Sequence, residues 1–327
     1  MIISAEDAVK LLLQGEAVAV PTETVYGLAA IATNPEAVAK IFEIKNRPAD
    51  NPLICHFHSI EEVYSFVAAI PVNTLLLMHR FSPGPLSFML DLPDDSPLLF
   101  ATAGNRQVIA RIPGHPVFLS IIAQINVPLA APSANTSGTI SPTAAAMVAA
   151  DLGAKIAGIV DGGDSAVGLE STIVDARSHN EVIILRPGII GEAEIRSVLP
   201  DVTISTQTDK TPAAIPGTKY RHYAPATPVF RLQNLDEINN HPGSAVFLVL
   251  EDMQRIARSI FPVLTAKNIH LLSLGSLADL RSMARNFYQV ISSVDQLHLA
   301  KAYFLIPDFG DSSLGKALQN RLDKILD

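Results

Sequence analysis

Along the first 200 residues, apolar positions alternate between a helical period and short continuous apolar runs. Ser4 can cap a helix with Asp7 in its first turn, and AVAV at 17–20 then reads as a buried strand. Asn34-Pro35 opens a second helix through Lys45, with proline at its favoured first position. Residues 53–57 read as a strand, and Ser59-x-x-Glu62 as a capping box for the next helix. Further strands are predicted at 86–90, 107–112, 127–131, 156–160, 172–175 and 182–185, and helices at 116–124, 142–150 and 191–198. Strands outnumber the helices between them. The fold class expected for residues 1–200 is therefore α/β of the α+β kind, built on a twisted mixed sheet.

The rhythm is lost at 201–227, a polar stretch with three prolines before Ala226, which reads as a linker. Its middle, GTKYRHYAP, is rich in aromatic and basic residues for a passive spacer. It reads either as a surface tether packed by its tyrosines or as something that meets a site. From 228 to 327 the pattern is simpler. Strands at 228–232, 245–250, 270–274 and 302–306 are separated by helices near 251–260, 276–296 and 313–326. Such alternation predicts a small, parallel, doubly wound sheet.

Composition narrows the function. The chain has 327 residues, enough for two cores, with 48 % hydrophobic and 17 % charged residues. Its net charge of −8 and lack of basic runs weigh against broad nucleic-acid binding, so any nucleic-acid role is expected to be indirect. One cysteine, Cys55, excludes an internal disulfide and a multi-thiolate metal site. No apolar stretch reaches the roughly 18 residues of a spanning helix, and the first residues lack the basic flank of a signal peptide. A cytoplasmic location without membrane contact is the expectation.

Two motifs invite over-reading. Gly310 to Lys316 matches G-x-x-x-x-G-K, but Ala317 offers no hydroxyl for Mg²⁺, and too little chain follows for an acidic metal-binding strand. A helix cap is the better reading. Cys55 beside His56 suggests a thiol and its base, yet neighbours on a strand face opposite ways. Cys55 then reads as a buried hydrophobe, and His56 as either structural or ligand-facing.

The polar strand ends carry more. PTETVYGLAA places Thr22, Glu23, Thr24 and Tyr26 where the AVAV strand emerges. Lys45, Arg47 and Asn51 follow a helix end; the cations either answer its dipole or clamp a phosphate. Gln107-Val-Ile-Ala-Arg111 ends an apolar strand in an arginine that needs an anionic partner, a role a ligand carboxylate would fill. Ser133, Asn135, Ser137 and Ser141 lie in a loop of small residues suited to phosphate oxygens, although Ser141 before Pro142 also reads as a helix cap. Asp161-Gly-Gly, Glu170-Ser171-Thr172 and Arg186-Pro-Gly complete the set. With several hydroxyls, four cations and no dedicated nucleophile, the inventory suits alignment of an anionic nucleotide beside a second anion.

In order, PTETVYGL, KNRPADNPL, VIARIPGHP, APSANTSG, DGG, GLESTIVD and RPG resemble the YrdC-type family of threonylcarbamoyl-AMP synthases over about residues 3–200. PGTKYRHYAP and SSLGKALQNRL resemble that family's long form, which carries a second, Rossmann-like domain. The resemblance implies a nucleotidyltransferase that makes threonylcarbamoyl-AMP and pyrophosphate from L-threonine, bicarbonate or CO₂ and ATP, for modification of tRNA next to the anticodon. Carried over by residue, Lys45 and Arg47 look catalytic. Together with Asn51, Gln107, Ser133, Asn135, Ser141, Arg186 and Tyr223 they look like nucleotide contacts. Thr24, His56, Arg111 and Ser171 look like threonine contacts. Mg²⁺ would accompany ATP, no protein metal site is implied, and the product would pass to a tRNA threonylcarbamoyl transferase. Residues 201–227, with Tyr220 and His222, would act as a lid over the site. Two departures stand out: Gln107 replaces a common threonine, and Thr139-Ile140 a common Arg-Pro. A double-stranded-RNA-binding or regulatory protein using the same concave surface is the alternative. The carbamoyltransferase of hydrogenase maturation is disfavoured, because its zinc fingers need more than one cysteine.

Overall fold

The structure, a computed structural model, describes residues 1–207, 215, 223–234, 236–240, 243–251, 253–254 and 269–326. The chain divides into two compact units, Met1–Ser137 with Ser141–Tyr220, and Arg221–Asp327 with Gly138–Ile140. Most of the proposed lid, including Tyr220 and His222, lies outside the described residues.

The first unit holds one mixed sheet of eleven strands: β1 (Ile2–Ile3), β2 (Val18–Val20), β3 (Gly27–Ile31), β4 (Ile54–His56), β5 (Leu86–Asp91), β6 (Gln107–Arg111), β7 (Leu129–Ala130), β8 (Gly158–Val160), β9 (Thr172–Asp175), β10 (Glu181–Arg186) and β11 (Thr203–Thr206). Their spatial order is β1-β8-β2-β3-β7-β4-β6-β5-β9-β10-β11, with parallel and antiparallel neighbours interspersed. Seven described helices accompany it: α1 (Ala5–Leu13), α2 (Pro35–Lys45), α3 (Ile60–Tyr64), α4 (Val72–Phe81), α5 (Pro116–Ile125), α6 (Ala145–Leu152) and α7 (Glu192–Arg196). The helix starts follow local chemistry. Ser4 accepts from the Asp7 amide, Asn34 from those of Glu36 and Ala37, and Ser59 from that of Glu62. Helix α2 stops because Asn46 turns left-handed at φ 49°.

The two halves of this sheet are covered differently, and that positions the site. Around β2, β3, β7 and β8, helices α1 and α5 pack on one face through Ala8, Leu12, Phe118 and Ile122. Helices α2 and α6 pack on the other through Val38, Ile41, Val148 and Leu152. Across β4, β6, β5 and β9, alternate residues (Cys55, Phe88, Val108, Ala110, Val174) enter the same main core. Their neighbours Ile54, Met89, Ile109 and Ile173 form a second apolar strip with Leu185, on which Ile215 packs. Alternation puts His56, Ser87 and Arg111 on the face of that strip, at one end of it. Cys55 and His56 do point to opposite faces.

Several predictions need correction. Strand β3 was not expected, because its residues GLAAI are small and follow a glycine without alternation. Helix α4 also went unpredicted, lacking a side-chain cap at Pro71. Strand β11 comes from residues assigned to the linker; it pairs with β10, so the sheet runs past residue 200. Helix α6 begins after Ala144, so Ser141 is not its cap.

The second unit is the small parallel sheet expected: β12 (Val229–Leu232), β13 (Ala245–Val249), β14 (Ile269–Ser273) and β15 (Ala302–Leu305), in the order β12-β15-β13-β14. Among its described helices are α8 (Asp236–Asn240), α9 (Leu280–Gln296) and α10 (Ser313–Leu326). The P-loop-like stretch leads into α10. Ser312 Oγ accepts from the Gly315 amide, and a Cβ at Gly315 would come 2.4 Å from the Phe309 carbonyl oxygen. Close packing and a cap account for Ser312 and Gly315.

Candidate active site

One group of side chains gathers where β2, β4, β5, β6 and β9 end or begin. Arg111, 4 % exposed, donates from Nη2 to Glu23 Oε1 at 2.6 Å, from Nη1 to Thr24 Oγ1 at 3.0 Å and from Nε to the Gly84 carbonyl at 3.2 Å. A guanidinium has five N–H groups, so each terminal nitrogen keeps one more to offer. Thr24 Oγ1 lies 2.8 Å from Thr22 Oγ1. In register, Arg111 sits opposite His56 on one side and Ser87 on the other. Ser87 Oγ lies 2.8 Å from Ser171 Oγ, and Arg186 donates to the Ser171 carbonyl at 2.9 Å and its hydroxyl at 3.1 Å. Thr24, His56, Arg111, Ser171 and Arg186 are therefore brought together.

A second group surrounds the end of α2. Lys45 is buried and donates from Nζ to the Ser133 carbonyl at 2.5 Å and to the Asn135 carbonyl. Arg47 donates to Asn51 Oδ1 at 2.7 Å and to the Asn51 carbonyl at 2.9 Å. Asp151 on α6 holds the loop from behind, accepting from Thr136 Oγ1 at 2.6 Å and from its amide at 2.7 Å. Residues 22–28 join the groups: Thr24 belongs to the first, while the Tyr26 amide donates to the Pro142 carbonyl and the Tyr26 carbonyl accepts from the Ala134 amide. That segment flanks Ser133, Asn135 and Ser141, of which Asn135 and Ser141 are buried.

The electrostatics follow from burial. Desolvation, with Arg47 adding to it, holds the Lys45 ammonium well below its ordinary pKa of 10.5, against an opposing pull from Asp151. Burial, then Arg111, holds His56 well below 6.5, so it is neutral at pH 7. The His56 ring packs 5.3 Å from Phe118. Burial alone pushes the Cys55 thiol up to about 12, which removes it as a nucleophile at neutral pH. Among the described residues, no three His, Cys, Asp or Glu side chains are grouped to hold a metal ion.

One predicted residue stands elsewhere in the first unit, and another belongs to the second unit. Gln107 is exposed at the opposite end of β6 from Arg111, where its amide meets Asp91 Oδ1 at 3.3 Å. Tyr223 belongs to the second unit, packed 5.6 Å from Tyr288 with the Arg321 guanidinium 5.3 Å from its ring. Ser87 and Asp151 were missed. The signal for Ser87 was a lone hydroxyl inside the apolar run LSFML. Glu23 had been noted only as polar.

Comparison with known proteins places these features in a context. The Sua5/YciO/YrdC family model, described as "Telomere recombination", matches residues 10–188. A model described as "Threonylcarbamoyl-AMP synthase, C-terminal domain" matches residues 190–324. The threonylcarbamoyl-AMP synthase of Bacillus subtilis is 38 % identical over 97 % of this chain and 91 % of its own length. That of Pyrococcus abyssi is 35 % identical over 97 % and 92 % respectively. The crystal structure of P. abyssi Sua5 complexed with L-threonine superposes with a TM-score of 0.81 at 33 % identity, covering 98 % of this chain and 94 % of that one.

Proposed function

This chain belongs to the Sua5–YrdC family of threonylcarbamoyl-AMP synthases, and from that premise we propose how its first unit carries the activity. The enzyme joins L-threonine, bicarbonate or CO₂ and ATP into threonylcarbamoyl-AMP and pyrophosphate, an intermediate of tRNA modification. The observation that supports this location best is the continuous run of groups from Arg111 through Thr24 and residues 22–28 to Lys45. It offers a carboxylate reader and a phosphate reader on one rigid segment.

In this reading Arg111 turns its remaining N–H groups to the threonine carboxylate, with Thr24, neutral His56 and Ser171 supplying hydrogen bonds. The threonine ammonium gives a proton to solvent or bicarbonate. Its nitrogen then bonds to the carbon of CO₂ with loss of a second proton, or to that of bicarbonate with loss of water, to become a carbamate. A carbamate oxygen bonds to the α-phosphorus of ATP, the bond to the bridging oxygen breaks, and pyrophosphate leaves with that electron pair. Lys45, Arg47 and Arg186, with Asn51, Ser133, Asn135 and Ser141, hold the phosphates and the charge that develops on them. Arg186 touches Ser171, so the two substrates would meet there. Mg²⁺ would travel with the triphosphate. Gln107, at the far end of β6 from Arg111, would take part in nucleotide binding only at the margin of this site. The labile product is handed to a tRNA threonylcarbamoyl transferase in the cytoplasm, with weak or indirect tRNA contact. No described helix is long and apolar enough to cross a membrane.

Pyrophosphate release from ATP tests the reading. It should require both L-threonine and bicarbonate; release that needs neither would sink the proposal.

A further inference from the structure

The contact between Glu23 and Arg111 leaves one carboxylate oxygen unused. Oε1 accepts from Arg111, but Oε2 is buried and no described group donates to it. A buried, unmatched acceptor is costly, and more so when charged, so a fold that keeps one leaves it for a donor from outside the chain. The carboxylate is fixed in place. The Glu23 carbonyl accepts from the Val167 amide at 2.7 Å, and the backbone at Gly114 lies so close that a Cβ there would stand 3.2 Å from the Glu23 carboxyl carbon. The side chain still keeps 14 % of its surface in solvent.

The charges beside it indicate the donor. The Arg111–Glu23 pair sets a cation with spare N–H groups against an anion with a spare oxygen. Its electrostatic complement is a zwitterion whose carboxylate and ammonium are one carbon apart. We infer that Glu23 binds the α-ammonium of the amino-acid substrate through Oε2, while Arg111 binds its carboxylate. The pair then selects α-amino acids over α-hydroxy acids of the same shape. This rests on the threonine site proposed above and adds the group that recognises the nitrogen to be carboxylated. A charge-assisted hydrogen bond contributes roughly 1.5–3 kcal/mol, or about 10- to 150-fold in affinity.

Calorimetric titration of the full-length protein with L-threonine, and with 2,3-dihydroxybutanoate of matching configuration, tests the inference. The wild type should prefer threonine by about 30-fold. Glu23→Gln keeps an oxygen for Arg111 but replaces Oε2 with a donor, and should reduce the preference below threefold. Glu23→Asp keeps the charge; it should bind both ligands more weakly yet retain a preference above tenfold, and it carries the test if the glutamine variant does not fold. Equal weakening of both ligands by Glu23→Gln, or loss of the preference in Glu23→Asp, overturns the inference. A wild type that binds no threonine overturns the site reading itself.

Discussion

Arg111 in the first unit and Arg321 in the second are both buried, at 4 % and 0 % exposure, in very different company. Arg111 ends a strand, meets a carboxylate 88 residues away in sequence, and retains N–H groups for a ligand. Arg321 lies within α10, donates to Asn320 Oδ1 at 2.8 Å and lies over the ring of Tyr223. A buried guanidinium thus marks a binding site only when its surroundings leave something over. In the second unit the cation secures the start of β12: Tyr223, held left-handed at φ 70°, packs on Tyr288, and Asp295 on α9 accepts from the amides of Ala226 and Thr227.

The largest effect should separate the chemistry of the two units outright. Lys45→Ala removes the phosphate-facing cation and should reduce threonine-dependent pyrophosphate release about a thousandfold, equivalent to about 4 kcal/mol of transition-state stabilisation. The two carbonyls it served lose their donor, so some stability should go as well. Circular dichroism would separate the two losses. A folded Lys45→Ala protein with activity within tenfold of wild type would remove the phosphate clamp from the proposal.

The same conservative change at both arginines sharpens the contrast. Arg111→Lys cannot reproduce three directed contacts and a fork, so the KM for threonine should rise about 100-fold with that for ATP within threefold. Arg321→Lys should leave both KM values within twofold and lower stability by about 2 kcal/mol, read from denaturant melts, as ring stacking is lost. If the two variants gave the same pattern, the distinction drawn between the residues would be wrong.

The contrast also governs how much was legible in sequence. Much of the second unit reads directly, since Phe287, Ile291 and Val294 line one face of α9 at a helical period. Helix α8 was not expected, however, and most of the helix expected near 251–260 lies outside the described residues. In the first unit the strands were found mostly where alternation or a long apolar run announced them, and GLAAI was overlooked because small residues announce nothing. The polar strand ends were recognisable as a set, yet their pairing was not. Arg111 was expected to wait for a ligand, and its first partner is Glu23. Ser87 meets Ser171 only because β5 and β9 are neighbours, a fact of sheet order that no local pattern carries. Asp151 was invisible for the same reason, being a helix residue whose work is done on a loop 15 positions earlier.

A smaller effect concerns stability at the site. His56 is held below 6.5 in the folded state, while the unfolded chain protonates it near 6.5. Below that pH the unfolded state therefore binds more protons, and stability falls as pH drops, by up to about 1.4 kcal/mol per pH unit. Above it the contribution is fully retained. Denaturant melts from pH 7.5 to 5 should show His56→Gln losing less stability on acidification than the wild type; parallel curves would mean that the buried ring does not titrate.

The smallest effect is expected at the motif that most resembles a nucleotide site. Lys316 and Asp311 are 3.9 Å apart and both exposed, at 59 % and 105 % of their side-chain surface, so each is already well solvated and their attraction is screened. The backbone of the loop is accounted for locally: Asp308 Oδ1 accepts from the Gly310 amide and Ser312 Oγ from that of Gly315. Ala317 is buried with no hydroxyl to give. Lys316→Ala should accordingly change the KM for ATP and pyrophosphate release by less than twofold, and stability by less than about 0.5 kcal/mol. A tenfold rise in that KM would put a nucleotide on α10 and reverse the assignment of chemistry to the first unit. The same mutation made together with Lys45→Ala would show whether the two lysines act on one triphosphate, since independent sites give additive losses and a shared one does not.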